Sequence, residues 1–343
     1  MPCTRHVKRI HILLPLVLAL LLTACSRSAR SEKHERQVFA MDTIMLLTAY
    51  GENAQAGLSA AEATILSLEA ALDPEREDSE LYALNHAEGA SVSVSDATLQ
   101  ILETGLTVWE RSGGALDFTL YPAVRAWGFG GDGEYRVPDD SELSALLALR
   151  GMEHIALDGH AVSLAAGQEL SFGAAAKGYT AQAAVNAMRD AGVEAAILTL
   201  GGNVQTLGTK PDGSPWVVAV QDPFDTGSYL GTLSLDGGTA AVTSGNYQRY
   251  FEADGQIWHH ILDPETGYPV RSGLCSVTVV CPDGTTADSL STALFVLGEE
   301  DALAYRDRFG GFELVLVTED RRVIVTGGLS FSEHGDFTYV YVD

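Results

Sequence analysis

The chain has 343 residues, 21 Lys and Arg against 46 Asp and Glu, and a formal net charge of −25. A surface of that sign repels nucleic acid and anionic lipid headgroups, which excludes both as expected partners. Hydrophobic residues make up 46%, a globular content, and the length suffices for two lobes or one large domain.

Arg5, Lys8 and Arg9 precede an apolar run from Ile10 to Leu22, interrupted only by His11 and Pro15, and Leu22-Thr23-Ala24-Cys25 follows. A basic start, an apolar stretch of this length and small residues before a cleavage point describe an export signal. The run falls short of the roughly 20 apolar residues that cross a bilayer. A Cys directly after Leu-Thr-Ala resembles a lipobox, which implies cleavage before Cys25 and diacylation of its thiol. The expectation is an exported lipoprotein, held at the membrane by its lipid anchor only and facing the periplasm or cell exterior. An ordinary signal peptide with a chance Cys is the plainer alternative. Residues 1–24 hold three basic residues and no acidic one, so the processed chain carries 18 against 46, a net −28. Residues 25–37 are polar, without an apolar period, and read as a flexible tether; 38–343 form the folded domain.

Within that domain, alternation over 38–50 predicts an opening strand. Leu58, Ala61, Ile65, Leu68 and Leu72 recur at helical spacing across 54–72. A short helix is expected at 80–87, and a longer one runs from Ser95-Asp96 to Arg111. Residues 112–135, rich in Gly and aromatics, read as irregular. A helix at 139–150 takes Asp140 or Ser141 as its cap, with short strands near 153–157 and 161–164. Residues 174–191 form a helix that Gly192 ends. Strands are expected at 195–200, 203–208, 216–221, 231–236 and 240–245, then a longer β region at 247–262. Strand 274–281 leads into helices at 287–297 and 300–309, and the chain closes with strands at 312–320, 321–327 and 337–343. Helices and strands mix without a strict βαβ rhythm, so the class is α+β with a cleft. Apart from Cys3 and Cys25 the cysteines are Cys275 and Cys281, at the ends of one extended run. Six residues of strand span about 20 Å, far beyond the ~5.5 Å of bridged Cα atoms, so two buried thiols are expected.

Four segments concentrate polar chemistry. Thr243-Ser244-Gly245 follows an apolar strand; Gly245 would free a tight turn whose N–H groups face an anion. Downstream, His259 and His260 precede Asp263-Pro264-Glu265-Thr266-Gly267, which alone is simply a good turn. Asp288 and Thr292 are i and i+4 on a helix, with Ser291 between, an oxygen set that suits a hard cation such as Mg²⁺; a helix-capping Asp288 is the alternative. Lys177-Gly178 in the first turn of a helix, behind small residues, makes a phosphate site or a packed helix start. Leu116, Asp117, Phe118, Tyr121, Trp127 and Phe129 could wall a flat ring or roof a core.

In order the chain reads MDT (41–43), SELYALN (79–85), GALDFTLYPAVRAWGFG (114–130), AAAKGY (174–179), LGGNVQTLG (200–208), SPWVVAVQDP (214–223), AVTSGNYQRYF (241–251), HHILDPETGYPV (259–270) and ADSLSTALFVLG (287–298). This series resembles the ApbE family, the FAD:protein FMN transferases, over about residues 38–342. The resemblance implies a two-lobed α+β fold with FAD between the lobes. It implies Mg²⁺-dependent transfer of the FMN half of FAD to a Thr or Ser hydroxyl of an exported acceptor protein, with AMP released. Some relatives hydrolyse FAD to FMN and AMP, and a flavin-storing lipoprotein is a third reading. By position, Met41, Ala115, Leu116, Asp117, Lys177 and Ile261 match FAD contacts. The Ala174 carbonyl, the Asp288 carboxylate, Ser291 and Thr292 match a metal shell. Asp288 and His260 are the candidates for assisting the attack of the acceptor hydroxyl. Three departures stand out. Ser171-Phe172-Gly173 replaces an Asp-Leu-Gly stretch, although Ser171 can still hydrogen-bond the flavin nucleotide. Gln182 replaces an Asp after the Lys-Gly-Tyr, and Leu72-Asp73-Pro74 opens an early loop that usually begins Leu-Ser. FAD binding is expected to survive these changes, weakened or re-angled.

Overall fold

The computed structural model describes residues 32–131 and 133–343. The expected export signal, Cys25 and the tether up to Ser31 lie outside the described residues. The chain opens with a hairpin, β1 (Lys33–Ala40) and β2 (Thr43–Tyr50). Its two-residue turn holds Met41 and Asp42, both at positive φ, 49° and 58°. That geometry matches the twist of a tight hairpin, at a conformational cost for a residue such as Met. The single strand expected over 38–50 is therefore two. β1 also reaches back to Lys33, so residues 33–37, read as tether, are strand paired from Lys33↔Tyr50 to Gln37↔Leu46. The polar composition of this edge strand hides it from an apolar-period reading.

Next come α1 (Ala54–Leu72), α2 (Glu80–Asn85), β3 (Val92–Ser93) and α3 (Asp96–Arg111). The Ser95 hydroxyl caps α3 by accepting from Thr98 N–H. The stretch read as irregular contains a 3-10 turn at Phe118–Leu120 and α4 (Tyr121–Ala126), with Pro122 at a helix start where its missing N–H is harmless. α5 (Asp140–Leu147) is shorter than the expected 139–150, and its cap position is Asp139, one residue before the expected Asp140. β4 (Ala156–Asp158) and β5 (Ala161–Ser163) form a small sheet with β3. α6 (Ala176–Asp190) stops at Gly192, φ 85°.

The β-rich half contains β6 (Ala195–Leu200), β7 (Asn203–Leu207), β8 (Trp216–Gln221), β9 (Tyr229–Leu235), β10 (Ala240–Gly245), β11 (Tyr250–Ala253), β12 (Gln256–His259) and β13 (Leu274–Cys281). α7 (Gly284–Leu297) starts three residues before its expected position, because Asp283 caps it from Thr286 N at 2.7 Å. α8 (Glu299–Phe309), β14 (Glu313–Thr318), β15 (Arg322–Thr326), β16 (Ser330–Glu333) and β17 (Thr338–Val342) complete the chain. β16 is largely exposed and has no sequence signature.

Nine strands make one sheet, ordered β1-β2-β6-β7-β10-β13-β14-β15-β17, antiparallel except for the β15–β17 pair. The expected α+β class holds. Helices α1, α6 and α7 pack on one face; the sheet β8-β9-β16 packs on the other through Trp216, Leu230 and Leu233. β13, central and covered on both sides, is buried at all eight positions. Val277, Val279 and Cys281 join the helical core with Leu290 and Leu294. Cys275 joins the opposite core with Val280. The two thiols are free, as expected, and lie in different cores; burial pushes each up to about 11.

α6 and α7 cross where Gly178 meets Gly284. A Cβ built on Gly178 would stand 2.0 Å from the Gly284 carbonyl oxygen and 2.6 Å from Asp288 Cβ. Gly178→Ala should therefore destabilise the fold by roughly 1–3 kcal/mol through overpacking, read as a drop in thermal midpoint. Gly227→Ala, whose new methyl meets nothing nearer than 3.4 Å, is the control. Equal midpoints for the two variants would contradict the backbone contact.

Candidate active site

Helices, strands and turns together enclose a cavity of about 1020 Å³. Its rim includes the Met41-Asp42 turn and the parallel Gly201-Gly202 turn between β6 and β7. Both sit at the same end of the paired strands β2 and β6. Met41 N–H donates to Glu69 Oε1 at 2.6 Å, tying the first turn to α1. Asp42 faces Arg249 at 3.8 Å, a solvent-exposed pair of little energetic weight.

Of the expected site residues, Met41, Ala115, Leu116, Asp117, Ser171, Ala174, Lys177, Ser244, His260, Ile261, Asp288 and Thr292 all lie on this wall. Two do not. Gly245 is not a turn residue: it ends β10, paired with Ser276. It is glycine because a Cβ would stand 2.5 Å from the Tyr247 ring. Ser291 is fully buried behind the wall, with its hydroxyl bound to the Asp288 carbonyl at 2.8 Å and to Ser244 Oγ at 2.7 Å. Its side chain braces Ser244 instead of facing a ligand.

Asp288 is the centre of the wall's polar chemistry. It is 4% exposed, and its Oδ2 accepts from Gly178 N–H at 2.8 Å. Burial pushes this carboxyl up, while the Lys177 ammonium, the Gly178 N–H and the Asn203 amide pull it back. Asp288 does not cap its own helix, which Asp283 does; it supplies an acceptor to the start of α6, where no side chain of α6 caps. Thr292 Oγ1 lies 3.3 Å from Ser244 Oγ. Asp117 also has its carboxyl pushed up by burial; Oδ1 accepts from Thr119, and Oδ2 is buried without a partner among the described residues.

The adjacent histidines separate into two roles. His259 is buried, with Nε2 donating to the Val270 carbonyl at 3.0 Å and Nδ1 accepting from Ile261 N–H at 3.3 Å. It has no free nitrogen. His260 reaches the cavity; its Nδ1 donates to the Arg249 carbonyl at 3.2 Å, which leaves Nε2 as a lone pair. Burial lowers His259 to about 4 and His260 to about 3. Both are neutral near pH 7.

The aromatic stretch serves both purposes foreseen for it. Leu116, Phe118, Tyr121 and Phe129 line the cavity. Trp127 is fully buried in a core with Trp258 and Tyr268, and its Nε1 donates to Gly267 O at 2.8 Å, locking the Asp263–Gly267 turn. In the early loop, Glu75 accepts from Tyr121 OH and pairs with Arg125 at 3.5 Å. Ser171 stays on the wall, with its N–H donating to Phe118 O at 3.1 Å, whereas Gln182 is not part of the wall. Sequence reading missed Glu69, Asn203, Gln248 and Arg249, all of which line the cavity. Asn203, Gln248 and Arg249 fall within the family-like segments but carry no signal of their own.

A hard cation fits this wall chemically: one buried carboxylate, a hydroxyl and backbone carbonyls are the donors Mg²⁺ takes while keeping water. Asp288, Thr292 and Ala174 would hold it. Among the described residues no group of three or more His, Cys, Asp or Glu is placed to hold a metal ion, so a soft or His-rich transition-metal site finds no support.

The fold and this wall define a nucleotide-scale pocket with a buried carboxylate, an ammonium and hydroxyls on one side. The ApbE family model matches residues 41–316, and the chain belongs to the ApbE family. It is 33% identical over 327 residues to the FAD:protein FMN transferase of Treponema pallidum, covering 89% of this chain and 90% of that one. It is 37% identical over 256 residues to a Klebsiella pneumoniae FAD:protein FMN transferase, covering 73% and 78%. Among solved structures, an ApbE protein from Thermotoga maritima superposes with a TM-score of 0.78 at 30% identity, covering 88% and 97%. The apo flavinyl transferase ApbE of Pseudomonas stutzeri gives 0.75 at 32% identity, covering 84% and 92%.

The depressed histidines predict an acid sensitivity. Between pH 6.5 and about 4 the unfolded chain binds a proton at His259 that the folded chain does not, so acid favours unfolding across that window. The contribution is on the order of 3 kcal/mol. The midpoint of the wild-type chain should fall from pH 6.5 towards pH 4, and His259→Gln should show a shallower slope. Identical slopes would mean that His259 titrates normally.

Proposed function

We propose that this chain binds FAD in the cavity and transfers its FMN half to a Thr or Ser hydroxyl of an exported acceptor protein, releasing AMP. The observation that carries this reading is that Lys177, Asp288, Thr292 and His260 converge on one wall of a cavity large enough for a dinucleotide, in a chain whose relatives are named FAD:protein FMN transferases. In the reaction the acceptor oxygen bonds to the FMN phosphorus, the bond from that phosphorus to the bridging oxygen breaks, and AMP departs with the electron pair. Bound Mg²⁺ would supply charge neutralisation at the pyrophosphate. Lys177 gives a charge-assisted hydrogen bond to a phosphate oxygen. Nε2 of His260 accepts the proton of the attacking hydroxyl; its basicity rises when an anionic phosphate sits beside it. Asp288 provides the buried negative charge that selects a cation. His260 is fixed in the required tautomer by the Arg249 carbonyl.

The same reading places the enzyme outside the cytoplasmic membrane, anchored through diacylated Cys25, where exported acceptors are reachable. Cys25→Ser should yield an unprocessed or soluble form without lipid mass. A normal-sized, acylated, membrane-bound variant would dismiss the anchor.

The activity is tested by incubating the protein with FAD and Mg²⁺, with and without an acceptor bearing a flavinylation site. Mass gain of one FMN on the acceptor supports transfer; FMN and AMP without acceptor modification mark a hydrolase; intact FAD marks a binder. Asp288→Asn is the diagnostic variant, because its remaining oxygen still accepts from Gly178 N–H while the charge is lost. It should melt close to wild type, retain FAD binding and lose transfer at ordinary Mg²⁺, with partial recovery at high Mg²⁺. Lys177→Ala should weaken FAD binding by about 1.5–3 kcal/mol at matched salt. A well-folded Asp288→Asn protein with full transfer would remove Asp288 from the reaction.

A further inference from the structure

Asn203 begins β7 immediately after the Gly201-Gly202 turn, whose glycines take φ of 54° and 94°. It is 2% exposed and yet contributes to the cavity wall. Its Nδ2 has no partner in hydrogen-bonding geometry among the described residues, although the amide lies near enough to Asp288 to help hold that carboxyl down. A buried donor left without an acceptor destabilises a ligand-free fold.

The backbone gives this side chain little room to seek a partner elsewhere. Asn203 is paired with Leu200 across the hairpin and with Val242 on β10. The turn before it is packed from two sides: a Cβ on Gly201 would stand 2.8 Å from Thr43 Oγ1, and one on Gly202 3.3 Å from Gln248 Nε2. Lys177 and the Asn203 amide both act on the Asp288 carboxyl, and an amide nitrogen carries two N–H groups, so a donor remains for a ligand at this point of the wall. Gln205, two residues along and on the same face of β7, also has a buried amide without a partner among the described residues. It is not on the wall; it lies under Gly284, whose Cβ would stand 3.0 Å from its Oε1. Burial alone therefore does not separate the two amides, but access to the cavity does.

We infer that the Asn203 amide donates a hydrogen bond to a phosphate oxygen of the flavin nucleotide, beside Lys177. The inference rests on FAD being the ligand of this cavity, as proposed above. A neutral donor suits this place, since a second cation would compete for Asp288 and a carboxylate would repel phosphate.

The test titrates FAD into the full chain at one fixed, saturating Mg²⁺ concentration, so that the divalent ion contributes equally to every variant. Asn203→Leu and Asn203→Thr are compared with wild type, with Gln205→Leu as control and riboflavin as the phosphate-free probe. Both Asn203 variants should bind FAD about tenfold or more weakly and bind riboflavin as wild type does. Ligand-free Asn203→Leu should melt at or above the wild-type midpoint, because it removes an unsatisfied donor; Gln205→Leu should bind FAD normally. Unchanged FAD affinity in the Asn203 variants overturns the inference. So does an equal loss for riboflavin, which would mean that Asn203 only shapes the pocket, or a lowered ligand-free midpoint, which would mean a structural role. Wild type that binds FAD without transferring FMN sinks the proposed activity and leaves this contrast intact. Wild type that binds no FAD sinks both.

Discussion

Helices α6 and α7 meet backbone to backbone at Gly178 and Gly284, where even a methyl group would overlap a carbonyl oxygen. That approach lets a side chain of one helix complete the hydrogen bonding of the other. The first turn of α6 has backbone donors without intrahelical partners, and Asp288, on the second turn of α7, supplies an acceptor at 2.8 Å. The N-terminal end of a helix also favours negative charge. Burial raises the carboxyl and the helix start lowers it, so one contact joins the fold to the electrostatics of the cavity. Lys177 is held beside Asp288 because it is the residue before the contact glycine.

A similar economy operates around His259 and His260. Consecutive residues at the end of a strand point to opposite sides. One histidine turns into the protein and uses both nitrogens on the backbone of 261 and 270. The other turns into the cavity with one nitrogen satisfied and one free. The Asp263–Gly267 turn makes this arrangement rigid: it is closed by Gly267 N–H to Asp263 O at 2.8 Å and pinned by Trp127. Its charged residues are thus mainly architectural, and the chemistry lies just upstream of them.

Much of this is legible in the sequence alone. The helical periods of α1 and α3 appear in Leu58, Ala61 and Ile65 and in Leu102, and both helices fall within a residue of expectation, because burying one face imposes that period. Lys177, Asp288 and Thr292 could be named because a helix start and an i, i+4 pair are local features. What escaped was nonlocal. β1 pairs through a polar sequence, since an edge strand needs only backbone hydrogen bonds and one covered face. Gly245 looked like a turn residue and is a strand residue made small by Tyr247. Ser291 looked like a ligand, but the helix turns its hydroxyl into the interior. Asn203 and Arg249 acquire meaning only when three separate strands and turns close around one space.

The charge of the wall draws these strands together. Asp42, Glu69, Asp73, Glu75, Asp117 and Asp288 line the cavity, against Lys177 and Arg249 as its permanent cations. Some of those carboxylates are already engaged: Asp42 by Arg249, Glu75 by Arg125 and Glu69 by a backbone N–H. Burial pushes up the carboxyls of Asp117 and Asp288. Even so, an uncompensated pyrophosphate entering this space meets net repulsion, and the chain as a whole, at −25, adds to it. A polyanionic ligand therefore needs positive charge that the protein does not itself supply in full. The one buried carboxylate at the helix crossing is the natural place for a cation to be held. On this argument the acidity of the chain and the glycine contact between its helices are parts of one requirement: the first discourages bare anions, and the second positions the group that admits a neutralised one.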